Sequence, residues 1–418
     1  MQVRALQTGA LLVLIGCLPL RAGYALDQLE TEEDISELLP RQYRANTDQS
    51  NRWQRPWALL PQVGYGPDTG PLAGIKFTHR NIGDSGVAFD VDGTYALKMQ
   101  QGLTMTIAQP HLFDDSFLVA LRGGDHYDPQ REFFGLGNND QGPDSASTHA
   151  FQDMFGSLTL GWRPIERVAL SLSFGVRHVG VRRGDRLDEC GDLEPCPFTE
   201  EAFPDLPGVH GGMASRLGLS LVWNGRDDVV RPTRGWRIIL KAIHSNNSLL
   251  SDFEFTRYVA DVGYLRAFGE GRYVIGIRLD GEWIAAPERS VPFWELTELG
   301  GQDTMRGFFP HRFVGKGRAL VNLEGRFLMT EFDFFDLWHV KIDGVLFGDG
   351  GRVFIDRSEV RDEFKLNQKI LGRIVDDFQY SYGAGLRIGL AEALVARIDA
   401  GFSEEALGLV YLSFGQTF

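Results

Sequence analysis

Histidine is the side chain most often recruited for acid–base work or metal ligation near neutral pH. This 418-residue chain has nine, His79, His111, His126, His149, His178, His210, His244, His311 and His339. They show no recurring metal spacing, and neither a G-x-S-x-G elbow nor an H-E-x-x-H run occurs. An enzyme of the lipase or protease kind therefore has no support in the sequence, and no cofactor is expected. Two cysteines, Cys190 and Cys196, share one polar segment, Cys190-Gly-Asp-Leu-Glu-Pro-Cys196. Without clustered histidine they make no zinc site. A local disulfide between them suits an oxidising envelope.

What remains is charge set among glycines. One such segment is Gly300-Gly301-Gln302-Asp303-Thr304-Met305-Arg306-Gly307-Phe308, and a later one is Phe347-Gly348-Asp349-Gly350-Gly351. Their use depends on the elements that carry them. From about Trp57 to Phe418 the chain alternates apolar and polar residues in segments broken by Gly, Asp, Asn and Pro, a β-barrel signature. Between Arg272 and Ala285 one face carries Tyr273, Ile275, Ile277, Leu279 and Trp283, and the other Arg278, Asp280 and Glu282. The split recurs with Val321, Leu323 and Phe327 against Asn322, Glu324 and Arg326. It recurs again with Ile342 and Leu346 against Lys341, Asp343 and Asp349, and with Leu394, Ala396, Ile398 and Phe402 against Arg397 and Asp399. One side suits lipid and the other water. A soluble sandwich can alternate in the same way, but repetition without an intervening helix favours a membrane barrel.

The first 25 residues read as a secretory signal, with Arg4, an apolar run from Leu11 to Leu20 and a small-residue cleavage site at Gly23-Tyr24-Ala25. Leu14-Ile15-Gly16-Cys17 also fits a lipobox, which would make Cys17 a lipidated N-terminus. Removing residues 1–25 takes away Arg4 and Arg21 and no acidic residue, so 40 Lys+Arg face 56 Asp+Glu, a net charge of −16. That excess argues against nucleic acid as a partner. No uncharged apolar stretch of about 18 residues follows the signal, so any membrane span must be a closed barrel.

The alternation predicts an all-β, antiparallel transmembrane barrel of about 16 strands. They are placed at 57–65, 71–81, 86–98, 101–112, 115–127, 148–163, 167–181, 211–225, 235–246, 252–268, 272–286, 318–331, 338–353, 377–390, 393–402 and 408–418. Connections after the fifth, seventh, eleventh and thirteenth strands are long, and those after even-numbered strands are mostly tight. Long loops face outward in such barrels, so both termini are expected in the periplasm and the two cysteines in an external loop. Residues 26–55 form a short periplasmic extension, either a loose tail or a small plug, with Thr31-Glu32-Glu33-Asp34 resembling a capping box. Residues 56–418 are the barrel.

Met305-Arg306-Gly307-Phe308 resembles the [V/I/M]-R-G-[F/Y] loop motif, and Phe347-Gly348-Asp349-Gly350-Gly351 the F-x-D-x-G strand motif, of the BamA/TamA/FhaC-type outer-membrane assembly factors, also called bacterial surface antigen barrels. Further agreement comes from Arg226-Asp227-Asp228 followed by Arg231-Pro232-Thr233-Arg234-Gly235, which resembles the family's R-D…P-x-x-G turn. Phe134-Gly135-Leu136-Gly137-Asn138 resembles its F/Y-G-L-G-N segment, and Phe414-Gly415-Gln416-Thr417-Phe418 its terminal assembly signal, with Phe414 and Phe418 as the aromatic anchors. The resemblance implies that the loop after the eleventh strand folds back into the barrel and that Arg306 pairs with Asp349. An Arg carried into a lumen keeps its charge and so needs a carboxylate there, and Asp349 lies on the polar face of its strand. Gly307 is expected to let the backbone turn closely beside it.

The resemblance further implies assistance to the insertion or translocation of outer-membrane proteins, lipoproteins or lipids. Lipids and lipopolysaccharide are the expected surroundings, protein or lipoprotein clients the expected partners, and the oligomeric state is left open. Residues 26–55 leave no room for a POTRA domain of the kind that captures polypeptides in this family. Pro56, Pro61 and Gly64 in the first strand, and Gly408 and Gly415 in the last, point to a weak closing seam, unless Pro61 marks a bulge. The competing expectation is a passive channel in which Arg278, Asp280, Glu324 and Arg326 set conductance.

Overall fold

The computed structural model describes residues 56–414 except 114, 139–145, 186–194, 229, 288–289, 335–337, 356–377 and 391–393. The expected signal peptide (1–25) and extension (26–55) lie outside the described residues, as do Cys190, Gly415 and Phe418.

Alternation becomes structure as sixteen antiparallel strands closed into a barrel. The first eleven are β1 (Trp57–Gly66), β2 (Gly70–Ile82), β3 (Val87–Ala96), β4 (Gln101–Leu112), β5 (Phe117–Phe133), β6 (Ser147–Ile165), β7 (Val168–Arg182), β8 (Gly212–Asn224), β9 (Gly235–Ser245), β10 (Phe255–Phe268) and β11 (Tyr273–Ala285). Two three-residue strands, β12 (Thr297–Leu299) and β13 (Phe313–Gly315), pair with each other outside the barrel sheet. The wall resumes with β14 (Gly317–Phe334), β15 (Trp338–Phe354), β16 (Gln379–Leu390), β17 (Leu394–Phe402) and β18 (Leu409–Phe414). β11 pairs directly with β14, and β1 meets β18 through Tyr65 opposite Leu412.

Every one of the sixteen expected strands is present, with shifts at the ends that have physical causes. β5 and β6 run past their expected limits, to 17 and 19 residues, with their pairing carried on across a register shift between Asp128 and Arg131. The last strand begins at Leu409, because Gly408 takes φ +156° and belongs to the preceding loop. Gly408 therefore does not weaken the closing strand. Pro61 sits opposite Ile75 in an uninterrupted β1–β2 ladder, so it marks no bulge. Its missing donor falls on the β18 side, the placement a ladder tolerates for proline.

Alternation decides which side chains face outward. Leu103, Met105 and Ile107 of β4, Leu158, Leu160 and Trp162 of β6, and Ile275, Leu279 and Trp283 of β11 are exposed on the outer wall. Arg278, Asp280, Glu324, Arg326, Asp349, Arg397 and Asp399 point inward. The interior also holds apolar material. Phe133, Phe151, Val179 and Phe255 of the wall enclose Val291, Phe293, Trp294 and Leu296 of the β11–β14 loop, with Phe203 and Leu206 of the β7–β8 connection packed against them. Deeper in, Leu299, Met305, Phe308 and Phe313 of the same loop pack on Leu320 and Val353. The loop after β11 thus enters the barrel and carries its own core with it.

Candidate functional site: a loop latched inside the barrel

Arg306 lies on the inward loop and is wholly buried. Its Nη2 donates to Asp349 Oδ1 at 2.7 Å and its Nε to Oδ2 at 2.9 Å, while its backbone N–H reaches the same Oδ2 at 3.1 Å. Nη1 donates to Glu324 Oε2 at 3.0 Å. The Arg306 Cζ lies over the Phe347 ring, 3.5 Å from the centroid, so a π-system adds to the hold on the cation. Asn322 Nδ2 bridges Asp349 Oδ1 (2.8 Å) and the Thr304 carbonyl (2.7 Å). The fork geometry of arginine fits this double-carboxylate seat, and the extra donors satisfy lone pairs that burial would otherwise leave unpaired. Burial alone would lower the Arg306 pKa, but Asp349, Glu324 and Asp399 outweigh it and hold the guanidinium charged.

The motif residues around Arg306 fill separate needs. Met305 and Phe308 are buried in the loop's own core. Gly307 lies in the expected turn, closed by the Phe308 N–H donating to the Met305 carbonyl at 3.1 Å, without a left-handed backbone. Glycine is needed there for close approach, because a Cβ would stand 2.5 Å from the Phe402 carbonyl oxygen and 2.6 Å from Ser381 Cβ. Gly351 plays the same part on β15, where a Cβ would meet Met305 Sδ at 2.9 Å. Phe347 supplies the ring under Arg306. Phe414 ends β18 opposite Ala396. Cys196 is disulfide-bonded, and Cys190 falls outside the described residues.

Sequence reading missed several fastenings. Arg278 donates to the Asp303 carbonyl at 2.9 Å, Arg318 to the Glu298 carbonyl at 3.1 Å, and Arg397 to the Gln302 carbonyl. Tyr411 Oη and Ser403 Oγ donate to the Phe308 and Gly307 carbonyls at 3.0 and 2.6 Å. The alternation puts the three arginines inward but does not name the backbone oxygens they reach. Gly383 and Gly401 leave room, since a Cβ on Gly383 would overlap the Phe347 ring at 2.3 Å and one on Gly401 the Arg306 carbonyl at 1.9 Å.

A second anchor is Glu295, wholly buried beside Trp294. It faces Arg257 of β10 at 2.9 Å, Arg177 of β7 at 3.2 Å and Arg216 of β8 at 3.6 Å. Burial would raise its pKa, but these three arginines prevail and keep it ionised below the ordinary 4.5. A carboxylate inside the apolar run Val291–Leu296 was the only clue in the sequence.

Of two other recognised segments, one closes on the loop. Gly137 N–H donates to the Val314 carbonyl at 2.7 Å, and Asn138 exchanges hydrogen bonds with the Val353 backbone at 2.9 and 3.1 Å. At the opposite end of the barrel, the β8–β9 turn is organised by Asp227, which accepts from the Thr233 and Arg234 N–H groups at 2.9 and 3.0 Å. Arg278, Asp280, Glu324 and Arg326 are thus engaged in ion pairs around an occupying loop. Among the described residues, no group of three or more His, Cys, Asp and Glu could hold a metal ion.

The sequence profile of the Omp85 superfamily domain matches residues 73–418. Among solved structures, BamA from Haemophilus ducreyi lacking POTRA domains 1–3 is similar at 14% identity and TM-score 0.63, over 87% of this chain and 70% of that one. CdiB from Escherichia coli is similar at 11% identity and TM-score 0.55, over 87% of this chain and 63% of that one. CdiB from Acinetobacter baumannii gives 12% identity and TM-score 0.50, over 84% and 58%. The chain therefore spans less than two thirds of either CdiB chain. At these identities the likeness is one of fold. No curated protein matches the chain.

Proposed function

The chain belongs to the Omp85 superfamily, and from that premise we propose that it is an outer-membrane barrel assisting the insertion or translocation of outer-membrane proteins, lipoproteins or lipids. The observation that carries this reading is the seating of Arg306. A loop held in a lumen by a buried, doubly paired arginine and by side chains that grip its carbonyls is a part with a defined engaged position. Apolar packing alone would hold a plug without fixing its place, whereas the buried ion pairs and carbonyl contacts specify one seated position for the loop. In this reading the long connections face outward, lipids and lipopolysaccharide surround the wall, and the barrel performs no enzymatic chemistry.

The test is reconstitution of the full chain in liposomes, with an unfolded outer-membrane protein offered from outside and its folding followed by protease protection. Faster folding than in empty liposomes, lost in Arg306→Ala, supports assistance. Equal rates with and without the barrel would overturn it and leave the passive-channel reading in its place.

A further inference from the structure

The lumen is entered from both ends. The connection between β8 and β9, residues 225–234, is on the side of the short turns, yet it reaches across to β15. Arg231 Nη2 donates to Asp343 Oδ1 at 2.7 Å, and its Nε to Oδ2 at 3.2 Å. Asp343 and Asp349 lie on the same inward face of β15. One strand thus carries two bidentate carboxylate seats, one for a segment entering from each end.

The two seats are joined. Arg326 Nη1 donates to the Pro232 carbonyl at 3.3 Å, and its Nε to Glu324 Oε1 at 2.7 Å. The other oxygen of Glu324 accepts from Arg306. An unbroken series of polar contacts therefore runs from the turn through Pro232, Arg326 and Glu324 to Arg306 and the loop. Glu324 and Arg326 are both buried, so a shift of either is felt by its partner and not absorbed by water.

We propose that Arg231, Asp343 and Arg326 are positioning residues for the inward loop. The β8–β9 turn is a second latch, and its seating at the short-turn end sets how firmly Arg306 is held. Movement of the turn by anything that binds there reaches the loop through the Arg326–Glu324 contact. The inference is independent of what the barrel handles, because it concerns the loop's hold and is read without any client.

The experiment uses the full chain in liposomes with a reporter cysteine on the loop, Gln302→Cys, labelled by a membrane-impermeant maleimide. The chain without the reporter supplies the background. Arg231→Ala, Asp343→Asn and Arg326→Gln are each expected to speed labelling by roughly 5-fold or more, the lower end of couplings carried between sites. Arg231→Lys, which keeps the charge and loses the fork, should fall between. Exchanging the pair, Arg231→Asp with Asp343→Arg, should restore slow labelling. Heat-modified migration on gels identifies any variant that fails to fold, and the Lys variant and the exchange then carry the test. Unchanged labelling at position 302 in folded variants, with the turn itself loosened towards protease, would overturn the proposal. So would accelerated labelling in the exchanged pair equal to that of the single variants.

Discussion

Gly401 of β17 lies directly against the carbonyl of Arg306, so close that a Cβ would stand 1.9 Å from that oxygen. The loop is seated by a wall that leaves a hole for its backbone as well as by a charge pair. Gly401→Ala should therefore unseat the loop at a cost at or beyond the upper end of the ~1–3 kcal/mol of ordinary overpacking. Gly325→Ala, whose nearest neighbour would be 4.0 Å away, is the matched control. Limited proteolysis of the folded barrels distinguishes them, and equal resistance in both would refute the close approach.

Arg306→Ala and Asp349→Ala should both loosen the loop, and unequally. Removing the arginine side chain strands the Asp349 charge with only the Asn322 amide and the backbone N–H at position 306 beside it, while Glu324 keeps Arg326 and Arg387; removing the aspartate leaves Arg306 with Glu324. Breaking a buried pair costs about 3–5 kcal/mol, with Arg306→Ala the worse of the two. The double mutant should be no worse than Arg306→Ala. Thermal unfolding of the four proteins in detergent provides the comparison, and strictly additive losses would mean that the residues act separately.

The hold of Glu295 should depend on pH. Its pKa is depressed in the folded state by Arg216, Arg257 and Arg177. Its contribution is then fully present above 4.5, the ordinary glutamate value, and fades as the pH falls below that through the folded pKa. Protease access to residues 291–315 should rise on acidification below this point. Glu295→Gln should show the looser loop already at pH 7 and less further change, and identical pH curves for the two proteins would exclude Glu295 as the titrating anchor.

A lumen occupied by loop residues should conduct poorly. In planar bilayers the intact chain is expected to give small, flickering openings. Deletion of residues 291–315 should give a larger and steadier pore, as an unplugged wet barrel would. Large, steady conductance from the intact chain would favour the channel reading instead.

Trypsin added to intact cells should cut within 182–210, where Arg182 at the end of β7 and Arg183 just beyond it are exposed. A cut seen only after permeabilisation would invert the proposed orientation.

Alternation with period two has only two outcomes per residue, so Ile275 and Arg278 could be sent to opposite faces from the sequence alone. Glycine, proline and polar breaks located all sixteen wall strands for the same reason. Asp349 and Arg306 were legible as a pair through motif resemblance, which carries a three-dimensional relation inside a short string. Glu295, Gly401 and the Arg231–Asp343 contact were not. Glu295 meets arginines from three strands, Gly401 of β17 matters through a backbone oxygen of the inward loop, and Arg231 reaches a strand on the far wall. Each depends on distances across the lumen, and those are set by barrel closure and by the path of a loop through it. Local periodicity assigns each side chain to a face, but only the closed wall decides which inward-facing side chains meet.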